Sequence, residues 1–135
     1  MPFLVIAFMS AIVQLMINTG QIVLIAQAFE TSFLAFWSPF IGAFGAFITG
    51  SATISNIMFG SFLNTAAGIM NLAGEKILAL ALVGAAAGNM VSLADILAAE
   101  AVVGLKNEER RILKGVIVPC LVYLLLVGLV GILII

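Results

Sequence analysis

Thr49-Gly50-Ser51-Ala52-Thr53-Ile54-Ser55-Asn56 interrupts two apolar runs, about 33–50 before it and 54–71 after it. These eight residues carry three kinds of polar residue and no charge. Two arrangements are open: a pair of full membrane crossings joined by a tight turn, or a helical hairpin whose tip stops inside the membrane. Backbone that is not helical at membrane depth survives only where protein or a water-filled cavity satisfies it. The hydroxyls of Ser51, Thr53 and Ser55 and the amide of Asn56 suit that task.

The rest of the chain makes lipid the relevant solvent. Of 135 residues, 64% are hydrophobic and only 8% are charged, with a mean hydropathy of +1.35. Soluble domains carry about 25% charged residues, so this chain lacks the polar surface to face water. The net charge is −1 and no basic patch exists for nucleic acid. Without histidine, a Ser-His-Asp arrangement is impossible within the chain, and no phosphate-binding Gly-Lys loop occurs. Enzyme chemistry and a cofactor are therefore not expected. The single cysteine, Cys120, excludes an internal disulfide and reads as a small apolar filler.

Outward from the central interruption, an apolar run from about 3 to 29 is long enough to span, since a crossing needs about 20 residues. It has no basic n-region and is too long for a cleavable h-region, so it reads as an uncleaved membrane segment. Gln14, Asn18 and Gln21 share one helical face, Gln27 follows, and Glu30 marks the end. That stripe serves either hydrogen bonding between helices or a cavity lining. On the other side, Asn71 to Lys76 reads as a turn, and a fourth segment runs from about 77 to 103. Its middle, Gly84-Ala85-Ala86-Ala87-Gly88-Asn89, is either a seam for close helix packing or a broken helix flanked by Asn89, Ser92 and Asp95. Four of the five cations fall in the loop from Lys106 to Lys114. The positive-inside rule makes that loop cytoplasmic, with the N-terminus cytoplasmic and the C-terminus outside. The last span is expected over 116–135.

A carboxylate inside a span is costly and hence a functional candidate. Asp95 lies roughly 12 Å from the end of its segment at about 1.5 Å per residue, and is the candidate for proton or ion coupling. Glu100, nearer the end, is expected to be solvated. The Ser51, Thr53, Ser55 and Asn56 block offers donors to a small carboxylate, as discontinuous helices do in secondary transporters.

The stretch Trp37-Ser38-Pro39-Phe40-Ile41-Gly42 through Thr49 to Asn56, then Phe59, resembles the SPFIG…TGSxTxSNxxF block of the L-lactate permease family. Gly84 to Met90, then Ala101-Val102-Val103-Gly104-Leu105 before a charged loop, is similar to that family's second block. The resemblance covers about 36–114. It implies an all-α integral membrane protein with about three crossing helices plus a re-entrant hairpin, like the C-terminal half of an inverted-repeat ion-transporter fold. It further implies proton-coupled transport of L-lactate or glycolate in the cell membrane. Ser51, Thr53, Ser55, Asn56, Gly88 and Asn89 would bind substrate, with Gly84 in the opposing break and Asp95 coupling a proton or cation. Family chains are much longer, so the missing N-terminal half or another copy is the expected partner. The alternative is a small structural membrane subunit without transport of its own.

Overall fold

The computed structural model describes the chain except residues 1, 22, 25–30, 105 and 106. The described residues include six helices with defined bounds: α1 (Pro2–Asn18), α2 (Thr31–Thr49), α3 (Ala52–Ile69), α4 (Gly74–Met90), α5 (Leu93–Val103) and α6 (Glu109–Ile134). No strand occurs among the described residues.

Two of the expected segments are divided. The run expected from 3 to 29 does not continue as one helix. α1 stops at Asn18, and Thr19 and Gly20 form a turn in which Gly20 has φ +72°. A left-handed residue of this kind is the usual way a helix ends, and glycine adopts it without a Cβ clash. The polar stripe is thereby cut, with Gln14 inside α1 and Gln21 beyond the turn, while Gln27 and Glu30 lie outside the described residues. The run expected from 77 to 103 breaks at Val91-Ser92 into α4 and α5. Ser92 caps α5 by accepting the backbone N–H of Asp95 at 3.4 Å, which satisfies one of the donors a helix start leaves open.

The glycines expected to mark either a seam or a break form the seam. α2 packs most extensively on α4. Gly84 lies against the carbonyl of Pro39, Gly88 against that of Ala43, and Gly42 against that of Ala81. Pro39 opposite Gly84 and Ala43 opposite Gly88 show that the two helices run parallel. A Cβ on any of these glycines would occupy the space of a backbone carbonyl, so the helices approach as closely as backbones can. α3 returns antiparallel to both, with Gly60 beside Leu78 and Asn64 beside Gly74. α6 lies across α2 and α4, with Gly128 against Phe36 and Gly131 against Leu80 and Ala35.

The core under these contacts is small-residue packing. Ala35, Leu63, Ala66, Ala67, Ile77 and Ala81 are nearly inaccessible, and Met16 of α1 packs against them. A second cluster joins Ala43, Ala87, Val91, Cys120 and Leu124. Cys120 is the expected apolar filler, buried with its thiol toward the Ala87 carbonyl at 3.5 Å.

Two stretches, 74–103 and 109–134, are long and apolar enough to cross a membrane. α6 alone extends about 39 Å at 1.5 Å per residue, beyond the roughly 30 Å hydrocarbon core. α2 and α3 extend only about 27–28 Å each. At one end of the bundle, Lys76 donates to the Ile134 carbonyl at 2.9 Å, tying the start of α4 to the end of α6. At the other stands the charged start of α6, where Arg111 pairs with Glu108 at 3.6 Å.

Candidate functional site: two interrupted helices that meet

The α2–α3 connection is two residues long, Gly50-Ser51, and local hydrogen bonds shape it. Gly50 takes φ +66°, a conformation that reverses the chain and that L side chains adopt only with strain. The Thr49 hydroxyl donates to the Gly45 carbonyl at 2.8 Å and accepts the Ser51 backbone N–H at 3.2 Å. Ser51 is the N-cap of α3, its hydroxyl accepting the Ile54 N–H at 3.3 Å.

The four polar residues of this block do not share one environment. Ser55 is fully buried and donates to the Gly42 carbonyl at 2.7 Å, clasping α3 to α2. Asn56 is half-buried, and its amide donates to the Ala52 carbonyl at 2.8 Å. Thr53 is exposed and Ser51 half-buried at the tip. Since the Ser55 hydroxyl already serves the hairpin, Ser55→Ala is expected to lower thermal stability by about 0.5–1.5 kcal/mol, the usual worth of such a bond. Melting of the purified protein in detergent checks this.

The second interruption comes to the first. A Cβ on Gly50 would stand 3.0 Å from Ala94 Cβ and 3.2 Å from Ser92 Oγ, so the hairpin tip touches the start of α5. Two helix N-termini, each capped by a serine, thus converge. The N-terminus of a helix carries about half a positive charge and unpaired N–H groups, and no cation is needed for such a place to favour an anion.

Asn89 and Asp95 line one groove, of about 410 Å³, beside this junction, together with Ala86, Met90 and Ile112. Asn89 Oδ1 is buried and has no hydrogen-bond partner, while Asp95 is exposed. Gly88 sits instead in the α2–α4 seam, and Gly84 one turn below it. Glu100 departs from its expectation of solvation: it is only 5% exposed and its Oε1 has no hydrogen-bond partner. It lies one turn after Ile96, also buried, on the face that α5 turns inward. That period of four was visible in the sequence. So was Ser92-x-x-Asp95, the signature of a capped helix start. Among the described residues no cluster of His, Cys, Asp or Glu suits a metal ion.

Comparison with known proteins accords with this architecture. The L-lactate permease family model matches residues 1–135, a longer stretch than the two motif blocks. A putative L-lactate permease of Haemophilus influenzae is 34% identical over 128 residues, covering 90% of this chain and 24% of the relative. The glycolate permease GlcA of Escherichia coli is 33% identical over 98 residues, 73% of this chain and 18% of the relative. An L-lactate permease of Salmonella typhi is 34% identical over 106 residues, 78% of this chain and 19% of the relative. The chain thus spans about a quarter or less of the length of these relatives. No solved structure matches. These relatives are transporters, not enzymes, and membership of a permease family assigns an apolar, all-helical chain to a membrane. With its whole length matched by the family model, this chain belongs to the L-lactate permease family.

Proposed function

We propose that this chain supplies the C-terminal part of a secondary transporter for a small monocarboxylate, L-lactate or glycolate, coupled to protons. One observation carries the reading: the serine-capped N-termini of α3 and α5 meet through Gly50, Ser92 and Ala94. A carboxylate placed between them receives N–H and hydroxyl donors without a fixed cation, so it is held and released without breaking an ion pair. Ser51, Thr53 and Asn56 line the hairpin side. Ser55 and Gly88 hold the two sides in register, and Asn89 lines the far side. Asp95, beside them, takes the coupling proton or cation. The chain acts as one transmembrane unit in the cell membrane, alongside the remainder of the permease or another copy of itself.

In this reading the α2–α3 hairpin is re-entrant, within an inverted-repeat design. From the Cys120–Ala87 contact, eleven residues of α6 lead to its charged start, about 16 Å. From Ala87 to the break at Val91-Ser92 is only about 7 Å along α4. The hairpin tip, level with that break, therefore lies some 9 Å short of the first residue of α6 and about 2 Å short of Lys114, the last charge on that helix, at 1.5 Å per residue.

The test is uptake of labelled L-lactate and glycolate by the full-length permease. Thr53→Ala and Asn56→Ala are each expected to raise KM about tenfold, since a hydrogen bond to a charged group is worth about 1.5 kcal/mol. Asp95→Asn is expected to remove the dependence of uptake on an imposed pH gradient. Unchanged KM in a combined Ser51, Thr53 and Asn56 alanine variant would leave the hairpin a packing element of a structural subunit.

A further inference from the structure

We propose that the groove between α3 and α4 is a water-filled vestibule that leads the small carboxylate from the Glu75 end of the bundle to the hairpin tip. The inference rests on the transport reading above and adds its route.

The groove has a volume of about 610 Å³ and lies open along the side of the bundle. Its α3 wall carries Asn56, Ser61 and Asn64, and Glu75 of α4 stands opposite Asn64. Ser61, Asn64 and Glu75 are exposed. Leu78 and Leu82 complete the α4 wall.

Amides and hydroxyls facing hydrocarbon are costly, because lipid offers them no partner. A face of α6 has the composition that lipid requires: Val118, Val122, Leu125 and Leu129 are exposed with no polar residue among them. The α3 stripe is of the opposite character. Thr53, Asn56, Gly60 and Asn64 follow at three- and four-residue steps, hence on one face of the helix.

Its direction supports a route. Because α3 and α4 are antiparallel, Asn64 and Glu75 mark the end near the Asn71–Lys76 turn, and Asn56 marks the inner end. Asn64 to Asn56 is about 12 Å along the helix, and Asn56 is about 7–8 Å, nearly one and a half turns, from the Ser51 cap. The groove thus starts at one bundle end and runs toward the paired helix N-termini, with Asn56 its innermost α3 residue. Glu75 stands at the mouth, where bulk water and salt screen its charge, so it does not bar an anion.

Cysteine accessibility in the full-length permease tests the route. Ser61→Cys and Asn64→Cys are treated with a membrane-impermeant thiol reagent. Val122→Cys, on the lipid-type face, and Ala73→Cys, in the turn, serve as controls, with the parent protein as background. Labelling at 61 and 64 is expected to run at least about tenfold faster than at 122, since the reactive thiolate forms only where water reaches it. Saturating L-lactate or glycolate is expected to slow it several-fold. Position 73 labelled with 61 and 64 as inert as 122 would overturn the proposal, placing lipid or another helix in the groove. Labelling that neither carboxylate slows would overturn the route. A permease that carries no monocarboxylate but still labels at 61 and 64 would sink the transport reading and not the water-filled groove. A permease that transports with both positions inert would do the reverse.

Discussion

Gly84→Val and Gly88→Val are expected to prevent the bundle from assembling, at a cost of about 3 kcal/mol or more each, the upper end of what overpacking a core exacts. The obstacle at each position is a carbonyl of α2, at Pro39 and Ala43 respectively. Backbone cannot rotate aside as a side chain does, so relief requires the two helices to move apart. Their whole contact, the most extensive in the chain, loosens with them. A domain holds only about 5–15 kcal/mol in total, so either change consumes a large share. Gly115→Ala provides the contrast. Nothing lies within 4 Å of its added Cβ and it sits inside α6, where alanine is about 1 kcal/mol better than glycine. Thermal melting in detergent should therefore show Gly84 and Gly88 variants poorly folded even as alanine, and Gly115→Ala unchanged or more stable. Equal melting of all three would mean that the seam is not the keystone of the fold.

The same glycines show where the sequence was legible. Their four-residue spacing offered two readings, close packing or a broken helix, and the chain contains both at different places. Packing falls on Gly84 and Gly88, while the break falls at Val91-Ser92, where neither glycine nor proline stands. Composition favours glycine as the breaker, but here the capping bond to Ser92 and the hairpin tip beside it accompany the interruption. The tight turn between α2 and α3 was legible because it is a glycine followed by a serine, the two residues such a turn uses for φ above zero and for capping. The turn at Thr19-Gly20 was not legible because it lies inside an apolar stretch, and hydropathy is blind to a change in φ. Residue roles were less accessible. Ser55 resembles Thr53 as a letter, yet one is sealed against Gly42 and the other is exposed. Which face a hydroxyl occupies depends on the partner helix, and α2 and α4 are brought together by contacts some 45 residues apart.

Gly50→Val is expected to remove nearly all transport while leaving the bundle able to form. The backbone there is left-handed at φ +66°, which costs a residue with a Cβ about 1–2 kcal/mol, and a β-branched side chain is among the worst suited. The added Cβ would also press on Ala94 Cβ at 3.0 Å and Ser92 Oγ at 3.2 Å. Both neighbours belong to the α5 start, so relief separates the hairpin tip from the α4–α5 break. The core clusters do not include Gly50, and the α2–α4 seam is intact. Detection of the protein in the membrane fraction at near parental amount, with uptake of L-lactate and glycolate reduced at least about tenfold, is the expected pairing; a separation costing about 1.4 kcal/mol of binding suffices for that. Gly50→Asn discriminates strain from crowding, because asparagine tolerates the left-handed region better than other residues with a Cβ yet brings the same Cβ to Ala94. If the asparagine variant transports as the parent does, the left-handed turn alone matters. If it fails as the valine variant does, contact between the two interruptions is what transport requires. If both variants transport normally, the meeting of the two helix N-termini has no part in moving the carboxylate.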